Sequence, residues 1–369
     1  MRMNECYFLG SSVPEGFFSC FDQLMPPLEG WYTYVLKGGP GTGKSTLMKQ
    51  IARALEEREL HCECIRCSSD PASLDAVIVP SLRVSIADGT APHTLDLPYP
   101  GARGELVDLG RCWDGQKLRA REAEIVAVTE ENKACHARCR RFLASAQAVF
   151  DDGARVCRQA LLPRQTERYA ARLANRYFKP LSAQVGTQRL RLLDAVTPLG
   201  ILFLSETAEA LCDHRVVLED AFGAAAGVLL SALRERALAS GYDCIVSPPP
   251  GERNGVRHLM IPALSLGFFT QGKCCPLGLQ ATRTVQLRRF YDGEQLRSHK
   301  TRLSFAQKAA KELLEEAAGA LIMAKERHDA LEALYIDAMD FRAVGRIRDR
   351  LIEEIWQRDW YGEGTQTTE

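Results

Sequence analysis

Apolar residues fall into two patterns along the chain. Short runs, Trp31 to Leu36, Val77 to Val79 and Val84 to Ala87, are dense in apolar and β-branched side chains and predict strands. Between them, Leu47, Met48, Ile51 and Leu55 recur at helical spacing and predict an amphipathic helix starting at Lys44. Arg215 to Leu218 repeats the strand pattern later on. Leu313, Ala317, Leu321, Ala324, His328, Leu331 and Tyr335 step by threes and fours, which is one face of a long helix. Strands alternating with helical patterns predict an α/β fold built on a parallel sheet flanked by helices.

The pattern occurs twice. A shift of 182 lays Leu36–Asp88 on Leu218–Thr270 without a gap, pairing Gly41 with Gly223, Leu47 with Leu229, Cys62 with Cys244, Pro80 with Pro262 and Leu82 with Leu264. A shift of 178 lays Asp114–Phe178 on Asp292–Trp356, pairing Gly115 with Gly293, Leu118 with Leu296, Leu143 with Leu321, Asp151 with Asp329 and Leu173 with Leu351. Two long diagonals in the same order read as a tandem duplication. The expected organisation is a first domain over residues 1–178 with a helical extension at about 115–178, and a linker at 179–190. A second domain over 191–358 follows, with an extension at about 293–358, then a tail at 359–369.

Composition narrows the class. Lys plus Arg equals Asp plus Glu at 47 each, so no global field draws the chain to nucleic acid or acidic lipid, and no nucleic-acid partner is expected. The longest apolar stretch, Ala221 to Leu233, is too short and too rich in small residues to span a bilayer. Thirteen cysteines without a hydrophobic signal core read as reduced thiols, and the expected location is the cytoplasm.

Residues 38–46, Gly38-Gly39-Pro40-Gly41-Thr42-Gly43-Lys44-Ser45-Thr46, satisfy the Walker A pattern G-x-x-x-x-G-K-[ST]. Glycines let such a loop wrap closely around phosphates with its N–H groups pointing inward. Lys44 is placed to reach the β- and γ-phosphates, Ser45 to ligate Mg²⁺, and the helix dipole adds positive potential. An apolar strand enters the loop and an amphipathic helix leaves it, as a P-loop requires. A metal-shell carboxylate at a strand end is also needed, and Asp88, closing Val84-Ser85-Ile86-Ala87, is the candidate. Gly89 follows it, so the Glu that activates water in many P-loop ATPases is not visible there. Mg-ATP binding with slow hydrolysis through Lys44 and Asp88 is the expectation, with Ser45 and Asp88 as the metal residues. Only the missing G-protein signature Asn-Lys-x-Asp favours ATP over GTP.

Other polar residues near this segment read more plainly. Asp70 before Pro71 suits a helix N-cap, Asp75 follows the Cys62–Cys67 strand, and His93 suits a loop hydrogen bond. Cys62, Cys64 and Cys67, and likewise Cys135, His136 and Cys139, lack the paired C-x-x-C spacing of structural zinc and read as core residues. In the second copy Lys44 becomes Ala226, Ser45 becomes Gly227 and Asp88 becomes Thr270, while Asp220 introduces a charge that would repel phosphate. That copy is expected not to bind nucleotide. Arg253 and Arg257 are its candidates for an arginine finger, with surface arginines as the plainer reading.

The runs Leu36 to Lys49, Cys67 to Pro80, Asp88 to His93 and the acidic helix ending at Asp340-Phe341 resemble a family of uncharacterised bacterial two-domain P-loop ATPases. The resemblance covers most of the chain and implies ATP binding. In that family the second domain often carries an intact P-loop, and this chain departs from it there. The leading expectation is a single-site ATPase or ATP-driven switch whose helical extensions meet a protein partner. The alternatives are a small-molecule or nucleotide kinase, and an ATP-stabilised scaffold without turnover.

Overall fold

The computed structural model describes residues 5–92 and 94–358, so His93 and the tail 359–369 lie outside the described residues. The first half of the chain forms β1 (Glu5–Tyr7), β2 (Gly10–Val13), β3 (Gly16–Ser19), β4 (Tyr32–Lys37), α1 (Lys44–Glu56), β5 (Glu63–Arg66), β6 (Leu74–Val79), β7 (Val84–Asp88) and β8 (Gly104–Asp108). Helices α2 (Gly115–Ala120), α3 (Glu122–Ala160) and α4 (Pro163–Tyr177) follow. The second half forms β9 (Gln188–Leu190), β10 (Asp194–Thr197), β11 (Gly200–Phe203), α5 (Ser205–Leu211), β12 (His214–Glu219), α6 (Ala224–Ala239), β13 (Cys244–Ser247), β14 (His258–Ile261), β15 (Leu266–Gln271) and β16 (Arg283–Gln286). It closes with α7 (Gly293–Ser298), α8 (Lys300–Ile336) and α9 (Phe341–Trp356). Among the described residues no helix is long and apolar enough to cross a membrane.

The fold is α/β with two similar sheets, and both sheets are mixed rather than parallel. The first runs β1-β5-β6-β7-β4-β8, the second β9-β13-β14-β15-β12-β16. In each, the third strand of that order is antiparallel to both neighbours and the other pairings are parallel. The reason is connection length. Only Cys67 to Ser73 join β5 to β6, and a parallel crossover needs about a dozen residues or more. The registers correspond as well: Leu36 faces Asp88 in the first sheet and Leu218 faces Thr270 in the second.

The compact units are not the contiguous domains expected from the sequence. Among the described residues, one unit comprises 5–10, 19–137 and 320–358; the other comprises 11–18 and 138–319. Residues 138–178, expected as the extension of the first domain, therefore belong with the second sheet, and 320–358 belong with the first. The expected linker at 179–190 includes β9, an edge strand of the second sheet.

Core packing explains the exchange. In the first unit α1 buries Leu47, Met48, Ile51, Ala52 and Leu55 in one cluster with Tyr34, Ile86 and Val107 of the sheet and with Val344, Leu351 and Ile355 of α9. Trp113 bridges Met339, so the chain entering α9 is pinned beside the end of β8. In the second unit α4 packs along α6, and Leu161 bridges Tyr291 in the matching place. Each long helix, α3 and α8, thus begins in one unit and ends in the other.

Candidate functional site

The loop at residues 38–46 leaves the C-terminal end of β4 and runs into α1. Its bend needs backbone that only glycine adopts readily: Gly41 and Gly43 have φ of +68° and +83°. Thr42 is buried and donates its hydroxyl to the Gly39 carbonyl at 2.8 Å, which fixes the curl from inside. The Lys44 ammonium folds back onto the loop, donating to the Gly38 and Gly39 carbonyls at 2.8 Å each.

Asp88 ends β7, which lies beside β4 and parallel to it, so the two strand ends meet at one edge of the sheet. Asp88 Oδ2 stands 3.7 Å from Lys44 Nζ, with both side chains largely buried. Its Oδ1 accepts from the Thr90 N–H and hydroxyl at 2.9 and 2.6 Å, so Asp88 both starts the turn and faces the lysine. Lys37 ties the following loop down through the Gly89 and Leu95 carbonyls. The Ser45 hydroxyl accepts from the Leu74 N–H at 3.0 Å, and Thr46 is exposed at the mouth.

Asp70 does not cap a helix. Residues 71–73 make a turn into β6, and Asp70 accepts from the Ser73 hydroxyl at 2.7 Å. Pro71 sits in that turn, where its fixed φ is as well suited as in a helix's first turn. Cys62 and Cys64 are buried in the sheet, and burial pushes the Cys62 thiol up to about 12, the behaviour of a packing thiol rather than a ligand.

The last turns of α8 and the start of α9 lie over the loop, which local sequence did not indicate. Glu332 Oε1 accepts from the Gly41 N–H at 3.3 Å. The Tyr335 ring stands so close to Gly39 that a Cβ there would meet it at 3.0 Å, and Phe341 lies against Gly43. Lys325 bonds Asp329 at 2.8 Å and reaches Asp70 at 3.8 Å. His328, Asp329 and Glu332 bring their ligand-type atoms within 4.8 Å of one another. These residues are some 290 positions from the loop in sequence, and only the helix exchange brings them there.

The corresponding loop of the second unit is closed by its own side chains. Asp220, at the counterpart of Gly38, accepts from the Ala225 and Ala226 N–H groups at 2.9 Å each. The Tyr291 hydroxyl lies 2.8 Å from Asp220 Oδ1, and burial pushes this phenol's pKa well up, with the adjacent Asp220 charge adding to the effect. Phe222, at the counterpart of Pro40, fills the space against Gly153 and Phe150. A carboxylate thus sits on the backbone donors themselves, a stronger block than the repulsion expected of Asp220.

Arg257, a candidate finger, is committed within its own unit. Its Nε lies 2.7 Å from the buried Asp194 carboxylate. Burial alone would raise the Asp194 carboxyl, but Arg257 and His258 outweigh it and hold it well below the usual range. His258 accepts from the Thr270 N–H at 3.2 Å, and burial lowers its pKa. Arg253 is exposed. Comparison with known protein families, with characterised proteins and with solved structures returned no match to this chain.

Proposed function

We propose that the first unit binds a Mg-nucleoside triphosphate, Mg-ATP in the leading case, at residues 38–46, and hydrolyses it slowly. The observation that carries this is one juxtaposition. A glycine-bent loop with Lys44 at its end opens at the same sheet edge as Asp88, with Lys44 and Asp88 3.7 Å apart. Loop N–H groups and Lys44 suit phosphate oxygens. Ser45 and Asp88 suit the shell of a Mg²⁺ ion, which would neutralise charge on the β- and γ-phosphates. Lys44 would exchange its two carbonyl partners for phosphate, and Asp88 would stay anchored by Thr90.

The two sheets of equal order, with registers related by the shift of 182, support descent of both units from one P-loop-type ancestor by tandem duplication. The second copy then lost its site: Ala226, Gly227 and Thr270 replace Lys44, Ser45 and Asp88, and Asp220 fills the loop. Gly89, not a Glu, stands next to Asp88, so a nucleotide-stabilised scaffold is the second reading. Calorimetric titration of Mg-ATP and Mg-GTP into wild type and Lys44→Ala, with product analysis, tests the set. One site lost in Lys44→Ala, with phosphate release, supports the ATPase; the same binding without release supports the scaffold. Unchanged binding in the variant refutes the P-loop reading, and two sites per chain refute the degenerate second copy.

A further inference from the structure

Beside the loop, in the first unit, lies a cavity of about 380 Å³ lined by Arg111, Trp113, Lys117, Asp337, Met339 and Asp340 among others. We propose that it receives the purine base of the nucleotide, stacked on Trp113 with its exocyclic amino group turned to the carboxylates of Asp337 and Asp340. This rests on the P-loop reading above and extends it to the other end of the ligand.

Topology places the cavity. In sheets of this kind ligands lie in the crevice outside the carboxyl ends of the strands. Strand β4 carries the phosphate loop, and its two parallel neighbours are β7, which ends in Asp88, and β8. With the metal residue on the β7 flank, the β8 flank is left for the rest of the nucleotide. Lys37 at the end of β4 faces Asp108 at the end of β8, and the cavity wall begins at Arg111. One ring separates it from the loop: Tyr335 lies against Gly39 and meets Trp113 edge-on at 5.9 Å.

The lining suits a purine. An aromatic face provides stacking, and carboxylates beside cationic side chains match a ring bearing an amino donor and acceptor nitrogens or oxygen. Asp337 is also 3.6 Å from Arg121, and Lys117 donates to the Asp337 carbonyl at 3.3 Å, so these groups are held at the rim.

The second unit provides an independent comparison. Shifting by 178, Trp113 corresponds to Tyr291, Lys117 to Gln295, Asp337 to Gln159 and Asp340 to Leu162. Tyr291 is turned onto Asp220, and Arg289, the counterpart of Arg111, lies over the Tyr169 ring at 4.5 Å. Asp337, Asp340, Lys117 and the indole are replaced where Lys44, Ser45 and Asp88 are replaced too, while Arg111 and Asp114 keep their charge as Arg289 and Asp292.

The test uses the full chain and three probes with Mg²⁺: ATP, GTP and tripolyphosphate, which has no base. Trp113→Ala and the solvent-facing Asp337→Ala are expected to weaken whichever purine nucleotide binds by about tenfold, leaving tripolyphosphate affinity as in wild type. Inosine triphosphate, which lacks the amino group, should bind wild type and Asp337→Ala alike. ATP tighter than GTP, or the reverse, identifies the purine. Nucleotide binding unchanged in both variants overturns the base site, as does an equal loss of tripolyphosphate binding. Lys44→Ala separates the two readings. If it binds tripolyphosphate like wild type, the P-loop reading fails and the base site falls with it; if tripolyphosphate binding depends on Lys44 but neither variant affects ATP or GTP, the base site alone fails.

Discussion

Removing the Asp220 carboxylate should cost the second unit about 3 kcal/mol. Asp220 accepts from two N–H groups in the first turn of α6 and from the Tyr291 hydroxyl, all at 2.8–2.9 Å, and is nearly buried. In Asp220→Ala the Ala225 N–H keeps a partner, because Tyr291 Oη lies 2.8 Å from it. The Ala226 N–H and the Tyr291 hydroxyl lose theirs. A buried polar group left unsatisfied costs roughly 1–3 kcal/mol, so two of them give roughly 2–6 kcal/mol, at the lower end where water enters. Tyr291→Phe removes one donor and should cost less, about 1–2 kcal/mol, and the two changes together should cost less than their sum because they share one network. Denaturant titration followed by circular dichroism measures the loss. Hydrogen exchange across 224–230 should quicken by about 100-fold, the factor equivalent to about 3 kcal/mol. An Asp220→Ala protein within 0.5 kcal/mol of wild type, with unchanged exchange there, would refute the idea that this carboxylate holds the closed loop. Asp220→Gly restores the counterpart of Gly38, yet it should still bind no nucleotide, because Ala226, Gly227 and Thr270 stand where Lys44, Ser45 and Asp88 stand in the first copy.

Four further outcomes are expected. Glu332→Gln should tighten Mg-nucleotide binding several-fold in calorimetry, since it removes a carboxylate that competes with phosphate for the Gly41 N–H; the side chain is 39% exposed, so solvent screening keeps the gain modest, and weaker binding would count against the competition. Gly41→Ala should abolish binding and lower the melting temperature, because a Cβ would lie 2.5 Å from the Glu332 carbonyl at a φ of +68°. Leu351→Ala should destabilise the first unit by about 2–5 kcal/mol, read by tryptophan fluorescence, because Trp31 and Trp113 both lie in that unit; a change within 0.5 kcal/mol would argue against α9 as part of its core. His258, whose pKa is lowered by burial among Asp194, Arg257, Cys275 and the Phe203 and Phe269 rings, favours its neutral form when folded. Its contribution to stability should therefore be complete above about pH 6.5 and fall as the pH drops below that, by at most about 1.4 kcal/mol per pH unit. Denaturant titrations between pH 5 and 7.5 on wild type and His258→Asn check this, and equal slopes would refute it.

The glycine loop at 38–46 and its strand and helix were legible because each is written locally: glycines at the turn, an apolar run before it, a helical stripe after it. Strand direction was not read, though it could have been. Periodicity does not distinguish parallel from antiparallel strands, but the short connection from Cys67 to Ser73 does. The partner of each helical extension was hidden for another reason. An apolar stripe such as Val344, Leu351 and Ile355 states that a face is buried, not against what, and the repeat makes α4 and α9 alike enough to suit either sheet. Once α9 is placed on α1, Glu332, Tyr335 and Phe341 arrive at the loop with it, so one unread long-range pairing concealed three residues that lie against the loop.

The exchange of helices also sets an order of events during synthesis. Helix α1 is complete at Glu56, but the residues of α9 that cover it begin about 285 positions later, at Phe341. At roughly 5–20 residues per second, the nascent first sheet waits roughly 15–60 s with the apolar side of α1 uncovered. The sheet that emerges earlier is thus completed later, and in that interval holding by chaperones would matter most.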